Sequence, residues 1–170
     1  MFDSLVVQFV VLWAVIDPIG SIPVYLTKTI GLSVEDRRKI ARKAVMISAC
    51  ILIFFLIAGQ ALLEAMQIPL TAFQIAGGLV LLLFALTMIF GEGKPEQEIK
   101  LSSNLNELAV YPLAVPSIAS PGAMMAIVLL TDNHRFSLFD QTMTTLIMLS
   151  VLLITYLLFL AANRIQRWIG

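Results

Sequence analysis

Apolar residues run along this chain in five blocks, each close to the length of a membrane-crossing helix and separated by short polar segments. A hydrocarbon core of about 30 Å takes ~20 residues of α-helix to cross. Measured against that length, the blocks predict spans at Ser4–Tyr25, Ala44–Leu63, Pro69–Phe90, Leu108–Leu130 and Thr142–Ala162. Only Glu64-Ala65-Met66-Gln67-Ile68 separates the second span from the third, which predicts an antiparallel hairpin with a tight turn. The longest polar stretch, Gly91 to Glu107, is rich in Gly, Lys, Glu, Ser and Asn and divides residues 1–90 from residues 108–170. Asp3 rather than a basic cluster precedes the first block, so that block does not have the form of a secretory signal.

Composition agrees with the pattern. Of 170 residues, 59% are hydrophobic and 13% charged, and the mean hydropathy is +0.95, outside the range of ordinary soluble domains. The expected fold is therefore an all-α, polytopic transmembrane helix bundle in one membrane domain, residues 1–170, with residues 91–107 as a cytoplasmic linker. The formal net charge of zero gives no reason to expect a nucleic-acid partner. Cys50 stands alone in an apolar run and reads as a small hydrophobe without a disulfide partner.

Charge placement predicts orientation. Lys28, Arg37, Arg38, Lys39, Arg42 and Lys43 lie in the first loop, Lys94 and Lys100 in the third, and Arg164 and Arg167 after the fifth span, leaving only Arg135 on the other side. Basic residues near span ends stay in the cytoplasm, so the N-terminus is expected outside, the first loop inside, and Trp168 at the inner interface. The basic cluster of the first loop also suits anionic lipid head groups.

The informative residues are those that a lipid-facing helix should not hold. Asp17-Pro18-Ile19-Gly20-Ser21-Ile22-Pro23 puts two prolines, a glycine and a carboxylate into the first span. An interior proline costs ~3 kcal/mol and a central carboxylate ~2.5–3.5 kcal/mol, so a broken helix is predicted. Asp17 is the acidic residue deepest in a span, and such residues mark ion or substrate paths; its other reading is a cap for a helix segment beginning at Pro18. The fourth span holds Tyr111-Pro112-Leu113-Ala114-Val115-Pro116-Ser117-Ile118-Ala119-Ser120-Pro121-Gly122 and is predicted to break for the same reason. Freed backbone at membrane depth must face protein or a polar cavity, so both breaks should point inward. For Ser117 and Ser120 the alternatives are ligand contact and a hydrogen bond to a nearby carbonyl.

The two runs occupy matching places in their halves. Pro18 and Pro23 are five apart, as are Pro116 and Pro121, and Asp17-Pro18 also lies on Ser120-Pro121 in a second register. Either offset lays the second span on the fifth, predicting an inverted repeat of three plus three helices with discontinuous first and fourth members. The same offsets carry the third span past Gly170, so the repeat predicts a sixth helix that this sequence lacks.

Asp17-Pro18-Ile19-Gly20-Ser21-Ile22-Pro23 together with Pro112 to Pro116 and Ser120-Pro121-Gly122 resembles the two signature segments of the MarC family. The resemblance extends through the fifth span; Ser120 stands where the family often has Gly. It implies a six-span membrane protein of the bacterial or archaeal inner membrane and a carrier of small neutral amino acids such as glycine or alanine. In that reading Asp17, Gly20, Ser117, Ser120 and Gly122 form the substrate site, and Pro18, Pro23, Pro112, Pro116 and Pro121 break the helices that carry it. N–H groups at the half-helix starts near Gly20 and Gly122 would bind the carboxylate, helped by the helix dipoles. Asp17 would take the ammonium or a coupling H+ or Na+, with carbonyls near Ser117 and Ser120 contributing to the cation.

No cofactor or metal is expected beyond that coupling ion, and the expected partners are a small neutral amino acid and membrane lipid, with self-association open. Gly77-Gly78 should permit close helix packing, Gln60 and Gln74 should hydrogen-bond between helices, and His134 should be a solvated loop residue. No nucleotide-binding glycine loop and no second carboxylate within a span to pair with Asp17 are present, so the chain is not read as an enzyme. A channel and a non-transporting scaffold are the competing classes.

Overall fold

The structure, a computed structural model, describes residues 2–90, 105–133 and 135–169. Residues 91–104 of the expected linker, with Lys94 and Lys100, and His134 lie outside the described residues. In chain order the helices are α1 (Phe2–Ile16), α2 (Ser21–Lys28), α3 (Val34–Ala65), α4 (Leu70–Phe90), the short α5 (Leu105–Leu108), a wide-turned segment over Ala109–Ile118, α6 (Pro121–Leu130) and α7 (Leu138–Ile169). Among the described residues all regular structure is helical. Leu5–Lys28, Val34–Ala65 and Leu138–Ala162 are long and apolar enough to cross a bilayer. Ala109–Ile118 and Pro121–Leu130, bent by 54° at their junction, form a fourth crossing if taken together, and α4 holds a shorter apolar stretch, Leu70–Leu83.

Two helices start earlier than the apolar blocks suggest, because caps rather than hydropathy set their ends. Ser33 accepts the Asp36 N–H at 3.1 Å and donates to the Asp36 carboxylate at 2.6 Å, so α3 begins ten residues before Ala44. Glu35 and Asp36 then sit at the positive end of its dipole. The basic cluster from Arg37 to Lys43 is consequently part of a helix and not of a loop. At the other long helix, Ser137 accepts the Asp140 N–H at 3.3 Å while Asp140 accepts the Ser137 N–H at 3.1 Å, and α7 starts at Leu138 and not Thr142. It runs on through Arg164, which belongs to the helix and not to a tail beyond it.

The α3–α4 turn is as tight as the sequence requires. Gln67 takes a left-handed φ of +56°, its N–H donates to Glu64 O at 3.0 Å, and the Ile68 N–H donates to Leu63 O at 2.9 Å. This double bond pattern closes the helix end with a residue type that tolerates positive φ less well than glycine.

α3 is central: it packs on the wide-turned segment, α6 and α7. α1 lies against α6 and α7, α2 against the wide-turned segment and α7, and α4 leans chiefly on α6. Leu12, Ile16, Tyr25, Leu52, Ile127 and Phe159 are fully buried between them, with the Tyr25 and Phe159 rings stacked at 4.4 Å. Outward-facing Ile75, Leu79 and Leu83 on α4 are exposed large hydrophobics, the surface expected of a helix whose solvent is lipid. At Gly59, on α3, an added Cβ would collide with Val128 of α6, and at Gly77, on α4, it would meet Met125 Cε at 2.5 Å. Small residues thus let α3 and α4 approach α6, as expected for Gly77; Gly78 faces open space.

Candidate functional site

Each break is built by residues that precede prolines. Steric conflict with the proline ring drives the preceding residue out of the helical region. Tyr111 before Pro112 (φ −129°, ψ 127°) and Val115 before Pro116 (φ −129°, ψ 126°) are extended, and so is Ser120 before Pro121 (φ −69°, ψ 157°). Asp17 before Pro18 takes the other exit, a left-handed φ of +50°, which Asp tolerates better than most residues. Pro18-Ile19-Gly20 then form a turn, and α2 begins at Ser21, three residues after the start at Pro18 that the sequence suggests. Pro23 falls in the first turn of α2, where a missing N–H loses no helical bond.

Broken helices orphan carbonyls, and the orphans are satisfied across the gap between the two breaks. Ser117 O would meet the N–H of residue 121 in a continuous helix, but residue 121 is proline; the Ser21 hydroxyl lies 3.4 Å from that carbonyl. Val15 O, deprived of its partner by the end of α1, accepts the Ser120 hydroxyl at 2.9 Å. Ala114 O accepts the Ala119 N–H at 2.8 Å, and the Ser48 hydroxyl of α3 lies 3.4 Å from it. Between hydroxyls, Ser117 Oγ donates to Ser21 Oγ at 3.0 Å. From the Ser21–Ser117 pair to the Val15–Ser120 pair, numbering falls on one strand of the contact and rises on the other, so the two breaks face each other in opposite senses.

The structure brings the expected residues to one region but assigns their polar groups differently. Asp17 is half-buried, and its Oδ1 accepts the Gly20 N–H at 3.0 Å. That N–H, expected to be free for a ligand carboxylate, is therefore committed within the break, and an added Cβ at Gly20 would collide with the Asp17 carboxylate. Asp17 does cap the broken segment, at Gly20, while its own carbonyl accepts Ser21 N–H at 3.2 Å and the Ser21 hydroxyl at 3.0 Å. Ser117 and Ser120 are buried. Ser120 Oγ also accepts the Ala123 N–H at 3.1 Å, capping α6, so its hydroxyl both donates and accepts within the protein. Gly122 is buried where a Cβ would meet Leu81 Cδ2 at 2.6 Å, giving it a packing role between α6 and α4. Pro18 and Pro112 are buried, Pro116 is half-buried, and Pro23 and Pro121 are exposed.

Several polar residues of the core were not singled out by the sequence. Ser21 and Ser48 sit at the junction of the breaks. Gln8 on α1 is buried and accepts the Thr144 hydroxyl of α7 at 3.1 Å. Asp132, beyond α6, is only 1% exposed and lies 3.7 Å from Arg135 Nε. Nearby, Gln60 of α3 accepts the Asn133 N–H at 2.8 Å from the loop after α6 and donates to Glu64 of its own helix at 3.1 Å, so its bonds reach a loop and not the neighbouring helix expected of it, while Gln74 is half-buried on α4. Among the described residues no three His, Cys, Asp or Glu side chains come together as a metal site.

A family model described as MarC family integral membrane protein matches residues 2–170. The chain is 32% identical to the UPF0056 membrane protein MJ1677 of Methanocaldococcus jannaschii, over 97% of this chain and 82% of that protein. It is 33% identical to the UPF0056 membrane protein YvbG of Bacillus subtilis, over 79% of this chain and 66% of the relative. A UPF0056 membrane protein of Aquifex aeolicus is 37% identical over 72% of this chain and 59% of its own length. The chain thus spans between about three-fifths and four-fifths of these relatives. No solved structure matches it. With two proline-broken helices packed face to face in an apolar bundle and a family model matched almost end to end, the chain belongs to the MarC family of integral membrane proteins.

Proposed function

We propose that this protein is a secondary transporter of small neutral amino acids of the glycine and alanine type, working by alternating access around a site between its two broken helices and coupled to H+ or Na+. The observation that carries the reading is the juxtaposition of the breaks, linked by the Ser117–Ser21 contact at 3.0 Å. Discontinuous helices in a membrane bundle expose backbone dipoles at mid-depth, which is how carriers hold zwitterions and ions away from water. The opposed sense of the two breaks supports an inverted repeat, residues 1–90 forming the first unit and 108–170 two helices of the second. The protein then sits in the inner membrane with its N-terminus outside and the basic turns of α3 in the cytoplasm.

The reading gives the residues at the breaks the following roles. Asp17 is the carboxylate at the break, and it takes the cation, either the ammonium of the substrate or the coupling ion. The Ser21, Ser48 and Ser117 hydroxyls, adjacent to kinked carbonyls, are well placed for an ammonium and a carboxylate once the breaks separate. The Gly20 N–H reaches a substrate carboxylate only when Asp17 releases it. A carrier of this kind saturates with substrate and shows counterflow in proteoliposomes, measured with radiolabelled alanine; flux that rises linearly with concentration and shows no counterflow identifies a channel, and the absence of alanine flux from folded protein points to another substrate or a scaffold.

A further inference from the structure

We infer that the groove between α3 and α7 is a binding site for an anionic glycerophospholipid, with its phosphate on Arg42 and Tyr156 and an acyl chain along the apolar wall. The groove measures about 260 Å³ and opens on the lateral surface of the bundle. Met46 and Ala49 of α3 face Leu149 and Leu153 of α7 across it, so its length is hydrocarbon. Arg42 is the charged group in the lining. It lies where the apolar face of α3 gives way to the basic first turns, the part of a membrane-crossing helix that meets lipid head groups.

Charge complementarity selects the occupant. Lys39 of the same cluster is paired with Glu35 at 3.0 Å and is 3.9 Å from Asp36, and Arg37 Nε donates to Leu32 O at 3.2 Å. Arg42, in contrast, is exposed and enters no ion pair among the described residues. Arg164 continues the groove face of α7 about three turns beyond Leu153 and adds a second exposed guanidinium on that helix. A guanidinium grips a phosphate through two parallel N–H donors, and a tyrosine at the interface offers a hydroxyl from an otherwise apolar ring. A zwitterionic lipid brings a choline or ethanolamine cation to the same spot and gains less; a second copy of this chain would bring its own basic turns there and be repelled. Basic pockets between transmembrane helices are a recognised form of anionic-lipid site.

The test is native mass spectrometry of the purified protein equilibrated with equal amounts of phosphatidylglycerol and phosphatidylcholine. The parent protein is expected to retain phosphatidylglycerol preferentially. Arg42→Gln should lower its occupancy about fivefold, the equivalent of ~1 kcal/mol for one basic residue at an anionic surface, with phosphatidylcholine unchanged. Met46→Trp, which fills the groove from an exposed position, should displace both lipids, and Arg135→Gln, outside the groove, should displace neither. Equal retention of the two lipids by the parent, or unchanged phosphatidylglycerol occupancy in Arg42→Gln, overturns the assignment. So does a lipid-free dimer that Met46→Trp dissociates, which would make the groove a subunit contact.

Discussion

Ser117 and Ser21 are 96 positions apart in sequence, yet the Ser117 hydroxyl donates to Ser21 Oγ at 3.0 Å in the buried junction of two broken helices. Both residues stand beside backbone that proline has disrupted, so the contact ties together the two weakest points of the bundle. Side-chain hydrogen bonds between membrane helices contribute about 0.6 kcal/mol on average. A double-mutant cycle with Ser21→Ala and Ser117→Ala, read by thermal unfolding in detergent, should return a coupling energy of about that size; additive effects would mean that the hydroxyls do not act as a pair.

Ser120 should be more sensitive than Ser117. Its hydroxyl caps α6 through the Ala123 N–H and satisfies Val15 O, so Ser120→Ala removes a cap and leaves a buried carbonyl without its donor. The expected loss is about 1–3 kcal/mol of stability. Ser120→Gly, which keeps a residue favourable at a helix start, should cost less than Ser120→Ala if the cap dominates, and the two melting temperatures decide it.

Gly59 should resist enlargement. Gly59→Ala drives a methyl into Val128, and rigidly packed helices must then separate. Overpacking of this kind costs ~1–3 kcal/mol. The companion change Val128→Ala should restore much of the loss, which a measured rescue of melting temperature would show and independent effects would refute.

Gln67 offers a change in the opposite direction. It holds φ +56° at the end of α3, where glycine carries no Cβ penalty. Gln67→Gly should therefore raise stability by roughly 0.5–1 kcal/mol, less the extra entropy of an unfolded glycine. A lower melting temperature would show that the side chain makes a compensating contact.

Much of this architecture was legible because its causes are local. Proline acts on its own neighbour, so both breaks are marked in the sequence by Asp17-Pro18, Tyr111-Pro112, Val115-Pro116 and Ser120-Pro121. Helix ends were less legible from hydropathy, which follows lipid and not hydrogen bonding; Ser33–Asp36 and Ser137–Asp140 were nonetheless present as capping signals. The serines were ambiguous for a different reason. Ser48 bonds its own Ala44 carbonyl at 2.9 Å, as a serine in any helix can, and only the fold reveals Ala114 O beside it. Asp132 follows the apolar block that ends at Leu130 with no sequence signal of burial, yet packing buries it. The commitment of Gly20 to Asp17 was likewise hidden, since it depends on the left-handed turn that Asp17 adopts.

The most direct test of the transport reading is alanine counterflow in proteoliposomes, comparing the parent protein with Asp17→Asn after both are shown to be folded. Any natural form extended beyond residue 170 should be tested in parallel. The account predicts saturable exchange in the parent and its loss in Asp17→Asn, because the amide cannot supply the negative charge that the substrate ammonium or coupling ion requires. Undiminished exchange in Asp17→Asn, or no exchange from folded protein of either length, would contradict it.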